Sequence, residues 1–199
     1  MQLFFNRTSP YARKARVAVI ELGLEQQVTF VEVDPWAEPA ELVDVAPLSK
    51  VPALLLADRE LVTESDTVLQ VLDTLAPSGP LFPAAPTQRR DALARAALCQ
   101  GLIDASFITV IEARRPEPLR WSDWVMRQER AIARVLSFID ASFALVPGRF
   151  DAGDISLACA LAYLDFRLSH IAWREPYPRL ARWLDDVSAR PSMIATRPA

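Results

Sequence analysis

Three short polar segments of this chain join groups that can bind an anion or grip an extended backbone. The first is Thr8-Ser9-Pro10-Tyr11-Ala12-Arg13-Lys14-Ala15-Arg16, which follows the apolar run Leu3-Phe4-Phe5 and leads into an apolar-periodic helix. It puts a hydroxyl at a strand-to-helix turn, where the helix N-terminus already favours negative charge. The second, Lys50-Val51-Pro52, ends a polar loop just before the buried-strand pattern Ala53-Leu54-Leu55-Leu56. The third, Glu64-Ser65, opens another helix with an acid and a hydroxyl. Each segment sits beside a strand or at a helix start. All three can therefore converge at one edge of a small sheet.

The elements that must position them alternate over residues 1–76. Leu3-Phe4-Phe5 reads as a strand. Pro10 suits a first helical turn, because its missing N–H has no partner there anyway, and Ser9 is then the natural N-cap. Gly23 ends that helix. Residues 28–33 form a β-branched strand, 39–45 a short helix after the Trp36 loop, and 53–56 a buried strand. Asp58-Arg59 turns a hairpin into Glu60-Leu61-Val62. Residues 65–75 are helical, with Val68, Leu69, Leu72 and Leu75 on one face. This order fits a four-stranded mixed sheet with helices on its faces. Residues 77–86, rich in proline, read as a linker. Beyond it only helical patterns appear, at about 87–114, 122–145, 152–169 and 178–189. Asp151, with Asp154 three residues on and Phe150 as a hydrophobic staple to Ile155, specifies one of these helix starts. That is a folding feature and not a catalytic one.

Taken in order, Ser9-Pro10-Tyr11-Ala12-Arg13-Lys14, Ala46-Pro47-Leu48-Ser49-Lys50-Val51-Pro52, Glu64-Ser65 and the tail Arg190-Pro191-Ser192-Met193 resemble the soluble, bacterial-type glutathione S-transferases. The resemblance covers nearly the whole chain. It implies an α/β plus all-α fold: a thioredoxin-like, glutathione-binding domain over 1–76 and an all-helical domain over 87–199. It also implies glutathione as co-substrate, a small and largely apolar electrophile as its partner, and a two-fold homodimer serving detoxification. The rich apolar stretch 94–103 fits a dimer face as well.

A free thiol titrates near ~8.5, so half-ionisation at neutral pH needs about 1.5 units, or roughly 2 kcal/mol. A hydroxyl donor at a helix N-terminus can supply that much. Ser9 is the candidate, Thr8 the runner-up, and Ser9 as a plain N-cap the competing reading. Tyr11 points away from Ser9. Relatives that do thiol-disulfide chemistry carry Cys at the Ser9 turn, so a hydroxyl here argues against glutaredoxin or glutathione-lyase reactions. Pro52 stands where the family uses a cis bond, leaving the Val51 backbone to pair with the cysteinyl unit as in strand addition. Lys50 suits the glycyl carboxylate. Ser65 and its helix start suit the γ-glutamyl carboxylate, and Glu64 its ammonium. In related dimers an acid at the place of Asp104 reaches the neighbouring subunit's glutathione; a solvated or salt-bridged helix acid is the alternative. Phe107, Val110, Ile111 and Arg114 are expected to line the electrophile pocket, with Tyr11 and Arg13 at its rim. A glutathione-dependent isomerase or dehalogenase remains open, although Thr8-Ser9 with Arg13 only loosely matches the isomerases' Ser-Ser-x-x-x-Arg turn. A non-catalytic binding module also remains open, because fold does not decide function.

The bulk numbers narrow the partners. A net charge of −3 gives no electrostatic reason to expect nucleic acid or an anionic membrane. No apolar run reaches the roughly 18 residues of a membrane span. The start, Met1-Gln2-Leu3-Phe4-Phe5-Asn6-Arg7, does not read as a signal peptide, so cytoplasmic residence is expected. Cys99 and Cys159 read as buried reduced thiols, no metal-ligand spacing occurs, and His170 reads as structural.

Overall fold

The computed structural model describes residues 1–76 and 81–198. Strands and helices alternate first: β1 (Gln2–Phe5), α1 (Pro10–Glu21), β2 (Thr29–Glu32), α2 (Ala40–Val43), β3 (Ala53–Leu55), β4 (Leu61–Thr63) and α3 (Ser65–Leu75). Helices follow: α4 (Pro86–Ala113), α5 (Ser122–Ser142), α6 (Ala152–Arg167), α7 (Pro178–Ser188) and α8 (Pro191–Ala195). Among the described residues no strand follows Thr63.

The sheet order is β2-β1-β3-β4, with β1 parallel to β2 and the other pairs antiparallel. Side chains alternate across it, as the two-residue strand period requires. Leu3, Leu54 and Val62 stand in register and face the main core, with α1 and α3. Phe4, Ala53 and Leu55 face the other way, into a smaller core closed by Leu42 of α2. The sheet is thus covered on both faces.

α1 begins as its sequence dictates. Ser9 is the N-cap and Pro10 the first residue, and the turn after the helix uses Gly23 at φ +68°. α1 packs against α3, α6 and α8 and so joins the two halves of the chain. Residues 77–80 of the proline-rich stretch lie outside the described residues. The rest of that stretch is docked, because Leu81 and Phe82 are buried, the Leu81 N–H meets Asp73 of α3, and the Leu81 carbonyl accepts from the Ala152 N–H at 3.0 Å.

α4 is 28 residues long, and its most apolar window has a mean hydropathy of 1.4, enough by length and composition to cross a membrane. This departs from the expectation that no apolar run reaches a membrane span, because Gln100, Asp104 and Glu112 interrupt a helix that is apolar on average. The helix packs against α5 and α6 and buries Arg95, as the core helix of a folded domain does. Cys99 and Cys159 are free and buried, and burial pushes the Cys99 thiol up to about 12. His170 lies in the turn after α6, beside Glu129 of α5 at 3.0 Å.

The tail helix α8 is tied back to α1. Glu21 accepts from Arg190 Nη2 at 2.6 Å and Nε at 3.0 Å, and from the Ser192 hydroxyl. Burial works against the Glu21 charge, but the hydrogen bonds from Arg190 and Ser192 outweigh it and hold the carboxyl below the usual range. A depressed folded pKa contributes stability that is complete above the unfolded value of about 4.3. That stability is lost as pH falls through the folded value. Hydrogen-exchange protection of the α8 amides is therefore expected to fall between pH 7 and pH 3 before that of α6. Unchanged α8 protection at pH 3 would show that the tail does not depend on this ion pair.

Candidate functional site

A cavity of about 1360 Å³ opens where the β1–α1 turn, the loop before β3, the start of α3, the middle of α4 and the end of α6 meet. It exceeds the roughly 300–1,000 Å³ of ordinary small-ligand pockets. Ser9, Tyr11, Lys50, Val51, Pro52, Glu64, Ser65, Asp104, Phe107 and Arg114 all line it. Three segments of the first half, far apart in the chain, thus converge on one wall, and α4 supplies another.

At the α1 turn three hydroxyls stand close in sequence and differ in what they bond. Thr8 Oγ1 donates to Asn6 Oδ1 at 2.8 Å. Tyr11 donates its hydroxyl to Asp104 Oδ1 at 2.7 Å. Burial first, and then the Asp104 carboxylate, raise the Tyr11 pKa and hold the phenol neutral. Ser9 Oγ instead accepts the Ala12 N–H at 3.2 Å, as a cap. Its own proton is directed to no acceptor among the described residues. Ser9 can therefore cap α1 and donate a hydrogen bond at the same time, so the two readings of this residue are compatible.

The Val51–Pro52 peptide bond is cis. Ser49, two residues before Val51, has φ +47° and donates its hydroxyl to the Pro35 carbonyl at 3.0 Å, which ties this loop to the Trp36 loop. Lys50 is exposed at the cavity mouth.

Ser65 is the first residue of α3 and not its cap. Glu64 holds the N-cap place at φ +63°, ψ 125°, in a region that non-glycine residues rarely adopt, and no side chain caps the helix. Ser65, 2% exposed, donates its hydroxyl to Gln100 Oε1 at 3.2 Å. Gln100 is the hub of this corner. Its Oε1 also accepts from Lys14 Nζ at 2.7 Å, and its Nε2 donates to Asp104 Oδ1 at 3.2 Å. Lys14, fully buried, also pairs with Asp66 in the first turn of α3. Asp104 lines this chain's own cavity, and its Oδ1 accepts from Tyr11 and Gln100 of the same chain.

Three expected pocket residues are corrected. Arg13 does not reach the rim. It is 5% exposed and points to the tail, donating Nη2 to the Met193 carbonyl at 3.1 Å and Nε to Thr196 Oγ1 at 3.4 Å. Residues two apart on a helix do not share a face, so a cavity-facing Tyr11 turns Arg13 away. Val110 packs against the main core, and Ile111 is half-buried outside the lining. Ile108 takes their place, beside Phe107, whose ring meets Tyr11 edge-on at 5.7 Å.

The sequence reading missed Trp36, Gln100, Tyr163 and Arg167 in the lining. Gln100 carried a signal: it precedes Asp104 by four residues, one helical turn, in an otherwise apolar stretch. Tyr163 and Arg167 carried none that pointed at a site on α1.

The family model for the glutathione S-transferase N-terminal domain matches residues 8–75, and that for the C-terminal domain matches residues 101–186. The chain is 26% identical over 201 residues to the uncharacterized GST-like protein YibF of Escherichia coli (strain K12), covering 100% of this chain and 98% of that protein. It is 38% identical to a glutathione transferase family member from Pseudomonas fluorescens Pf-5 in a crystal structure with bound glutathione, with a TM-score of 0.94 over 100% of this chain and 98% of that one. A second crystal structure from the same source, with bound S-(propanoic acid)-glutathione, superposes with a TM-score of 0.90 at 38% identity over 100% of both chains. A glutathione S-transferase from Methylobacillus flagellatus KT with glutathione bound is 34% identical, with a TM-score of 0.92 over 100% of this chain and 99% of that one. With both domain models matched in order and these likenesses spanning the whole chain, the protein belongs to the glutathione S-transferase family.

Proposed function

We propose that this chain is a glutathione transferase in which Ser9 Oγ donates to the thiolate of bound glutathione, and the ionised sulfur attacks a small, largely apolar electrophile. The observation that carries the reading is the division of labour at the α1 turn: Thr8 and Tyr11 have committed their protons, while Ser9 accepts at the cap and keeps its own. The helix N-terminus adds its dipole at the same point. Lys50 takes the glycyl carboxylate, the Val51 backbone pairs with the cysteinyl unit, and the uncapped start of α3 at Ser65 takes the γ-glutamyl carboxylate through its backbone N–H groups. Glu64 and Asp104 suit the ammonium. The relatives with glutathione or its S-substituted form bound support a site that holds the tripeptide and a group on its sulfur.

Two measurements test this. Calorimetric titration with glutathione is expected to show a single site per chain, and a turnover screen with a panel of electrophiles is expected to find conjugation above the uncatalysed rate. Binding without turnover on any electrophile would leave a glutathione-binding module, and no binding would remove the reading.

We also propose that the working form is a homodimer. Leu93, Ala94, Ala97 and Gly101 leave an exposed stripe of apolar and small side chains along α4, one turn apart and close to the cavity residues Gln100 and Asp104. Sedimentation at micromolar concentration is expected to give twice the 22.2 kDa chain mass. A species of 22.2 kDa alone would overturn this.

A further inference from the structure

The proposed chemistry uses the Ser9 side of the cavity. The wall where the end of α4 faces α6 carries Arg114, Tyr163 and Arg167, which that chemistry leaves without a task. Tyr163 and Arg167 are four residues apart on α6 and share a face. Tyr163 is 4% exposed, yet no group among the described residues bonds its hydroxyl, and no buried side-chain oxygen there is left without a partner. The hydroxyl must therefore open onto the cavity it lines. Both guanidiniums act on this phenol: burial raises its pKa, while Arg167 and then Arg114 pull against that rise.

Neither arginine forms an ion pair with a carboxylate among the described residues. Arg114 lies over the Trp36 ring, 5.3 Å from its centroid, and Arg167 over the Phe166 ring at 4.3 Å. Aromatic faces attract the cations but leave their N–H donors unused. Each arginine also ends a helix, where a cation is favoured by the dipole. That favours their presence but does not neutralise them. Phe107 and Ile108 are apolar residues of the same lining, and the Phe107 ring meets Tyr11 edge-on at 5.7 Å. Ile108 and Arg114 are six residues apart along α4, about 9 Å, which an aryl ring bearing a carboxylate can span.

We propose that Arg114 and Arg167, with the Tyr163 hydroxyl, form an anion subsite that selects electrophiles carrying a carboxylate on an otherwise apolar body. The apolar body rests on Phe107 and Ile108, and the carboxylate meets the two guanidiniums and the phenol. This rests on the glutathione-transferase reading of the same cavity and deepens it by naming the substrate class.

The test uses binding alone, with glutathione, S-(4-carboxybenzyl)glutathione and its uncharged isostere S-(4-carbamoylbenzyl)glutathione as probes. At low ionic strength the wild-type protein is expected to bind the carboxylate about tenfold more tightly than the amide, and added salt is expected to shrink that preference. In the double variant Arg114→Gln/Arg167→Gln the preference is expected to fall to about twofold or less, while the affinity for glutathione itself stays within about twofold. Equal binding of acid and amide by the wild type would overturn the subsite and leave the glutathione reading intact. So would a double variant that loses all three probes alike, since the arginines would then hold glutathione itself or the wall. Failure of the wild type to bind glutathione would remove both.

Discussion

Replacing Ser9 with alanine is expected to raise the pKa of the bound glutathione thiol by one unit or more and to lower conjugation about 10²-fold, with glutathione affinity nearly unchanged. A hydrogen bond to a charged group contributes about 1.5–3 kcal/mol, and each 1.36 kcal/mol is tenfold in rate. Affinity is expected to hold because Lys50, Val51, Glu64 and Ser65 line the cavity at other points. Activity is not expected to vanish, because the α1 dipole remains. The substitution also removes the cap on the Ala12 N–H, which costs on the order of 1 kcal/mol of stability. Ser9→Thr separates the two effects, since it keeps both a cap and a hydroxyl. The measurement is thiolate absorbance against pH with glutathione bound, for wild type and both variants. Equal thiol pKa values in Ser9→Ala and wild type would take Ser9 out of the mechanism and make a backbone amide of α1 the better candidate.

What could be read from the sequence was what a few neighbouring residues decide. Ser9 before Pro10 fixes a helix start locally, and Gly23 a helix end, and both lie where the pattern put them. The strands at Leu3 and Leu54 follow from the alternation that must fill two cores. The polar segments at Ser9, Lys50 and Glu64 could be recognised because each sits at such a local boundary. The α4 wall could not be read the same way. Which side of a helix faces a cavity depends on how the helix is seated, so the pattern points to Val110 and Ile111 where the cavity uses Ile108. Arg13 escapes a local reading for a related reason: its partners, Met193 and Thr196, come from a tail some 180 residues away. Gln100 shows the limit from the other side. Its spacing to Asp104 was visible, but its role as a hub requires Lys14 from α1 and Ser65 from α3, brought together only by tertiary packing.

The largest expected loss of stability lies away from the cavity, in the charges that fasten α4 to the start of α6. Asp151 caps α6, accepting from the Gly153 and Asp154 N–H groups at 2.9 and 3.1 Å, and Asp154 returns a bond to the Asp151 N–H at 3.3 Å. Arg95 of α4, 4% exposed, binds both acids, through Nη2 to Asp151 at 2.6 Å and Nη1 to Asp154 at 2.9 Å. Gly153 makes room for this approach, since a Cβ there would lie 2.5 Å from Arg95 Nη1. Arg149 supports Asp154 from the other side at 2.8 Å. Arg95→Met keeps much of the volume but leaves two buried carboxylates with Arg149 as their remaining cation. Breaking a buried pair in this way costs about 3–5 kcal/mol, and a chain of this size loses roughly 2–4 °C of Tm per kcal/mol, so Tm is expected to fall by on the order of 10 °C. The pH dependence distinguishes charge from packing. Burial already raises the Asp154 pKa in the folded protein. Removing Arg95 raises it further, so the unfavourable ionised form costs more as pH rises from the unfolded pKa through the folded one. Thermal denaturation at pH 5 and pH 8 is therefore expected to show a smaller penalty for Arg95→Met at pH 5. A penalty equal at both values would mean that the loss is one of packing between α4 and α6, with the ion network contributing little.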